Sequence, residues 1–243
     1  MLAAFAWGFA AAGTLIVGGA YALRRQIGER ALGVIMAFGG GVLISSVAYE
    51  LVAEAFATRH GNGAVAFGLF AGSGVFFVGD VLIDRMGGAD RKRSSGRQAD
   101  GSALAIVLGI VLDGIPESLV LGLTIVVSGS ISAAFFVAVA LSNIPEAIAA
   151  TSGLARSGWA ASRILGLWTL VAAVSGVASV IGFTIFDSAS PTVVAVVLAF
   201  AGGAILTMLA DTMMPEAFEH AGPLVGVVTT IGFAVAFGLS ALE

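Results

Sequence analysis

Leu112-Asp113-Gly114-Ile115-Pro116-Glu117-Ser118 and Leu141-Ser142-Asn143-Ile144-Pro145-Glu146-Ala147 decide how this chain is read. Each segment sits inside a long apolar run, and each carries a proline followed by a glutamate. A carboxylate at the centre of a bilayer costs roughly 2.5–3.5 kcal/mol on insertion scales. A proline inside a helix removes one backbone donor and crowds the carbonyl four residues earlier, which here belongs to Leu112 or Leu141. Two neighbouring helices so built offer carboxylates and carbonyl oxygens with no basic residue close in sequence. The missing component is a cation.

Composition sets the frame for this reading. Hydrophobic residues make up 58% of the 243 and charged residues only 11%, with mean hydropathy +1.05. Soluble domains carry about a quarter charged residues, so the chain is expected to be a polytopic membrane protein forming one transmembrane domain over 1–243. There is no cysteine, which excludes disulfides, thiolate metal sites and thiol redox chemistry. Two histidines are too few for a histidine-built metal centre. Nothing in the charge pattern calls for nucleic acid.

At about 20 apolar residues per span, eight helices are expected over 2–23, 31–57, 64–84, 102–128, 131–153, 162–186, 192–218 and 222–242. The first run lacks a basic leader and is expected to be a span rather than a cleaved signal. Ten of the eleven Lys and Arg fall on one side of the resulting alternation, Arg59 being the exception. The excess of basic residues on cytoplasmic loops then puts both termini outside. The Gly-, Ser- and Arg-rich connection 85–101 becomes a flexible cytoplasmic linker that sets topology, or binds anionic lipid headgroups.

The sequence also repeats. Ala37-Phe38-Gly39-Gly40-Gly41 through Glu54-Ala55-Phe56 matches Ala199-Phe200-Ala201-Gly202-Gly203 through Glu216-Ala217-Phe218 without a gap. The two copies lie on spans that run in opposite directions. The fold expected is therefore an all-α integral membrane protein of three spans, a central pair and three inverted spans. Inverted repeats around a midplane site are a feature of secondary transporters.

Asp113 and Glu117 share one helix face, as do Ser142 and Glu146. Both motifs lie roughly 20 Å from the turn Ser128-Gly129-Ser130 at 1.5 Å per residue, so they reach the same depth. Asp113, Glu117, Asn143 and Glu146, with Ser142 beside them, are expected to converge. Several carboxylates held together without a counter-ion repel one another and take up protons. A divalent cation relieves this, and a shared-proton cluster is the competing reading. Glu50, Ser46 and Asp211 are candidate lining of an access path. The pair Glu216 and His220 reads as a solvated helix end or a transient metal relay. Asp80 is expected near the inner end of the third span, and His60 in an outer loop.

At Pro116-Glu117 and Pro145-Glu146 the sequence resembles the ZIP family of divalent-metal transporters. The likeness extends to the glycine-rich openings of spans two and seven and to Pro215-Glu216. It implies eight spans in a three-two-three order, outward termini, and a metal site built from spans four and five. Asp113 stands where the family has histidine, Gly114 where it has asparagine, and Ser142 where it has histidine or glutamine. In span six, Ser179 follows Ser175-Gly176-Val177-Ala178 where the family has glutamate.

The resemblance implies zinc, manganese or iron as cargo, whereas an oxygen-only donor set suits harder ions. The metal residues expected are Asp113, Glu117, Ser142, Asn143 and Glu146, with no organic cofactor. Expected partners are the ion, membrane lipid and, as an option, a second copy of the chain in a homodimer. The alternative function is a non-transporting member acting as a metal or proton sensor or a partner subunit. Hydrolytic enzyme chemistry is not expected, because no nucleophile arrangement is found.

Overall fold

A computed structural model describes residues 1–25, 27–58, 62–88 and 103–242, with the side chains at 62, 103–107, 127 and 128 excepted. All the regular structure among them is helical. In chain order the helices are α1 (Leu2–Arg24), α2 (Glu29–Thr58), α3 (Asn62–Ile83), α4 (Ala103–Ser128), α5 (Ala133–Arg156), α6 (Ala161–Phe186), α7 (Pro191–Ala221) and α8 (Leu224–Ser240). Seven of the described helices are long and apolar enough to cross a membrane, and α8 is a shorter apolar helix. The expected spans thus appear within a few residues of their bounds. The structure carries α3 further than expected, because Asp84–Gly88 adds one wide turn that ends at Gly87 in a left-handed conformation. Residues 89–101 of the expected linker, and His60, lie outside the described residues.

Helix starts follow local chemistry. Ser132 caps α5 by accepting a hydrogen bond from the Phe135 amide, and Ser190 caps α7 through the Val193 amide with Pro191 at the first turn. Such caps satisfy amides that the helix leaves open.

The helices sort into two groups. In one, α1 packs on α6 and α5, and α4 packs on α6. In the other, α3 packs on α7, and α2 packs on α8 and α7. The groups meet chiefly where α2 lies on α5. Apolar burial drives little association once lipid surrounds the helices, so close backbone approach has to supply the contact. Glycine makes that approach possible. Gly41 faces the Thr229 carbonyl and Gly232 that of Phe38 across α2 and α8; Gly72 faces Phe200 and Gly203 faces Leu69 across α3 and α7; Gly122 faces Ser179 and Gly182 faces Leu119 across α4 and α6. Each pairing is reciprocal, and a methyl group on any of these glycines would strike a partner carbonyl.

Contacts along the helices fix their relative directions. Trp7 stacks edge-on against Phe136, and Gly18 meets Ile144, so α1 and α5 run parallel. Gly8 meets Ser179 and Gly19 meets Trp168, so α1 and α6 run antiparallel. Gly39 meets Ser142 while Glu50 accepts a hydrogen bond from Ser132, so α2 and α5 are antiparallel too.

Two helices change their winding. In α2 the segment Val47–Ala53 is π-helical, and in α7 the segment Leu209–Met213 is. Both begin at matching positions of the sequence repeat, since Ala48 aligns with Ala210. Such bulges cost backbone regularity and are found mostly at functional places. Pro116 and Pro145, by contrast, do not break α4 or α5, which run through them. Neither proline opens its helix. Each proline deletes one amide donor, and the rest of the ladder holds.

A candidate metal cavity between four helices

Helices α4 and α5 barely touch each other; each leans on a different neighbour, α4 on α6 and α5 on α1. The space left among the four helices is a small cavity lined by Glu117 and Ser118 of α4, Asn143 and Glu146 of α5, and Ser175 of α6, with Gly114 and apolar residues of all four helices completing the wall. Its volume is about 10 Å3, and a single water needs ~10–15 Å3 on the same measure. It is therefore about the size of one water.

The structure brings three of the five expected residues, Glu117, Asn143 and Glu146, to this cavity. Glu117 is 3% exposed and Asn143 5%, while Glu146 is partly exposed. Asp113 is buried at 4% exposure but does not line the cavity. Ser142 is also outside its wall; its hydroxyl donates to the Val139 carbonyl 3.0 Å away, and its backbone lies against Gly39 of α2. Among the described residues no three His, Asp or Glu side chains are grouped closely enough to hold a metal. The cavity offers two carboxylates, and its other polar groups are neutral.

Those neutral groups are oriented by backbone carbonyls. Asn143 Nδ2 donates to the Ala11 carbonyl of α1 at 3.2 Å, and Ser118 Oγ donates to the Gly114 carbonyl at 2.7 Å. A carbonyl can only accept, so the amide group facing Ala11 is the NH2. This leaves the amide oxygen as the other end of the side chain. Ser118 and Ser175 were not expected from sequence. Ser118 directly follows Glu117 and could have been flagged as its neighbour. Ser175 opens the Ser175-Gly176-Val177-Ala178 run of span six, but only the packing of α6 on α4 places it at the cavity: a Cβ on Gly114 would lie 3.8 Å from its Oγ.

The outer candidates fall elsewhere. Glu50 accepts hydrogen bonds from Ser132, in the turn before α5, and from Ser240, at the end of α8. It joins both helix groups on one side of the protein. Ser45 and Ser46, one turn before it, are fully buried and their hydroxyls have no hydrogen-bond partner. Asp211 is exposed at the rim of a separate, mostly apolar groove of about 580 Å3 between α3 and α7. Asp80 is 9% exposed on α3. His220 Nε2 lies 3.6 Å from Glu216 Oε1 at the end of α7, remote from the cavity wall.

No family model matches the sequence. The chain is similar to a protein of Arabidopsis thaliana named "Putative zinc transporter", with 27% identity over 216 residues, covering 86% of this chain and 34% of that protein. The chain thus spans about a third of the length of the relative it matches.

Proposed function

We propose that this chain is a ZIP-like secondary transporter that moves a divalent metal cation across a membrane, with zinc, manganese or iron as the cargo class. One observation carries the reading: carboxylates from two proline-bearing helices, Glu117 and Glu146, line the same small cavity deep in the helical assembly. Similarity to the zinc-transporter relative supports metal transport in general. In this reading Glu117 and Glu146 are the charged ligands, and Asn143 supplies a neutral oxygen. Asp113 and Ser142, buried on the same two helices, support the site from outside its wall.

The architecture proposed is three spans, a central pair and three inverted spans. It is supported by the reciprocal packing of α2 with α8 and of α3 with α7, and by the paired π segments at matching repeat positions. Alternating access would come from movement of α1, α4, α5 and α6 against the other four helices across the α2–α5 contact. The protein would be multi-pass in the cell membrane, with both termini outside and the basic connection cytoplasmic. It would act as a carrier and not as an enzyme.

The test is uptake by the purified protein in liposomes. Glu117→Ala and Glu146→Ala are each expected to abolish metal uptake while the protein remains monodisperse in detergent. Wild-type uptake by both variants would reject the site. The second reading, a non-transporting metal sensor or partner subunit, draws on the tight cavity and the absent motif histidines. Stoichiometric binding with no flux would establish it instead.

A further inference from the structure

We propose that the groove between α3 and α7 binds one membrane lipid whose head carries a primary ammonium, with Asp211 as its anchor. The groove is separate from the metal cavity, and the transport reading stands or falls independently of it.

The register of the two helices lays the groove out. Gly68 meets Val196 and Ser73 meets Thr207, so α3 and α7 run parallel. One turn further on, the same register sets Phe77 level with Asp211, and both line the groove. From Ala66 to Phe77 the wall follows about 16 Å of α3 at 1.5 Å per residue. The volume of about 580 Å3 falls within the roughly 300–1,000 Å3 of small-molecule pockets. Leu69, Phe70, Phe77 and Leu206 make the wall largely apolar. Two hydroxyls interrupt it. Thr207 Oγ1 lies 2.8 Å from Ser73 Oγ and 2.9 Å from the Gly203 carbonyl, so both hydroxyl protons have acceptors inside the wall. Such a channel suits an acyl chain.

Charge then selects the head. Among the described residues, Asp211 is the one charged side chain in the wall. Helix α7 has 31 residues and is about 45 Å long, more than the ~30 Å apolar core of a bilayer. Asp211 lies about 15 Å from the C-terminal end of that helix, which places it inside the apolar layer near one face. Its side chain is exposed and has no hydrogen bond or ion pair with the described residues. A carboxylate so placed is costly unless a cation meets it. One carboxylate is too few ligands for a metal ion, and no grouping of three His, Asp or Glu exists among the described residues. A cation joined covalently to an apolar chain meets both needs of the groove. A primary ammonium brings three donors to the carboxylate and makes the charge-assisted kind of hydrogen bond. A quaternary ammonium brings no donor, and an anionic head is repelled.

The experiment is native mass spectrometry of the full-length protein. It is equilibrated in detergent with phosphatidylethanolamine, phosphatidylcholine and phosphatidylglycerol of one acyl composition at equal concentration. Wild-type protein is expected to retain phosphatidylethanolamine about tenfold over either of the others, the weight of one charge-assisted hydrogen bond. Asp211→Asn is expected to bring the three lipids to within about twofold of one another. Ala210→Phe puts a ring into the groove from an exposed position and is expected to lower retention of all three. Equal retention of the three lipids by the wild type would reduce the groove to ordinary lipid contact and overturn the proposal. A phosphatidylethanolamine preference that survives Asp211→Asn, or retention untouched by Ala210→Phe, would overturn it by placing the lipid elsewhere. Lipid-free dimers abolished by Ala210→Phe would give the groove to a second copy of the chain instead.

Discussion

Replacing Gly18 by alanine would put a methyl carbon 2.7 Å from the carbonyl oxygen of Ile144 and 3.0 Å from the Ala147 side chain. Ordinary contact begins near 3.4 Å, so α1 and α5 would have to part by about 0.7 Å. The obstacle is backbone, which cannot rotate aside. Seven residues earlier on α1, Ala11 accepts the Asn143 amide at 3.2 Å. The same separation would stretch that bond to about 3.9 Å, beyond the range of a hydrogen bond. Three terms then compete. Alanine gains about 0.8–1 kcal/mol over glycine in a helix. Overpacking costs about 1–3 kcal/mol, and loss of the Asn143 bond about 0.5–1.5 kcal/mol. The net expectation is a destabilisation of about 0.5–3.5 kcal/mol together with an Asn143 oxygen no longer fixed toward the cavity. Gly13, on the same helix, has nothing within 4 Å of its Cβ position. Gly13→Ala should therefore be neutral or slightly stabilising, and it controls for helix propensity. Thermal unfolding in detergent and metal uptake in liposomes are read for both. If Gly18→Ala melts and transports like Gly13→Ala, the tight α1–α5 contact does not position the site.

Further outcomes follow from other contacts. Gly114→Ala should fold normally, since its Cβ would meet only Ser175 Oγ at 3.8 Å; its methyl would occupy the cavity, so bound metal measured by elemental analysis should fall sharply with the melting temperature unchanged. Trp168 Nε1 donates to Thr151 Oγ1 at 2.9 Å between buried side chains. Thr151→Val should strand that donor and cost about 1–3 kcal/mol, read as a lower melting temperature with uptake kept under conditions where the protein stays folded. Ser132→Ala should cost about 0.5–2 kcal/mol as a lost helix cap and should also free Glu50 from the turn before α5. Hydrogen exchange measured by mass spectrometry should then rise in the turn and at the end of α2; unchanged exchange there would count against the link.

The linear sequence determined the number of helices and their approximate bounds. Apolar runs of span length with basic residues between them leave a chain few alternatives when every backbone polar group must be satisfied inside the helix. It also exposed Glu117 and Glu146, because a carboxylate beside a proline in such a run is too costly to be incidental. The repeat, legible from Ala37 and Ala199 onward, aligns the paired π segments without revealing them.

What lies around the two glutamates was decided only by tertiary packing. Sequence made α4 and α5 antiparallel neighbours and had Asp113 and Ser142 converge with the glutamates, because a short turn joins the two helices. In three dimensions α4 leans on α6 and α5 on α1. Glycines at those crossings allow closer approach than the bulkier faces of α4 and α5 allow each other. That preference is a property of pairs of surfaces, and one helix's residues cannot state it. It sets Ser142 against Gly39 of α2, outside the cavity wall. It also brings Ser175 in from a third helix and lets the Ala11 carbonyl of a fourth take the Asn143 amide donor.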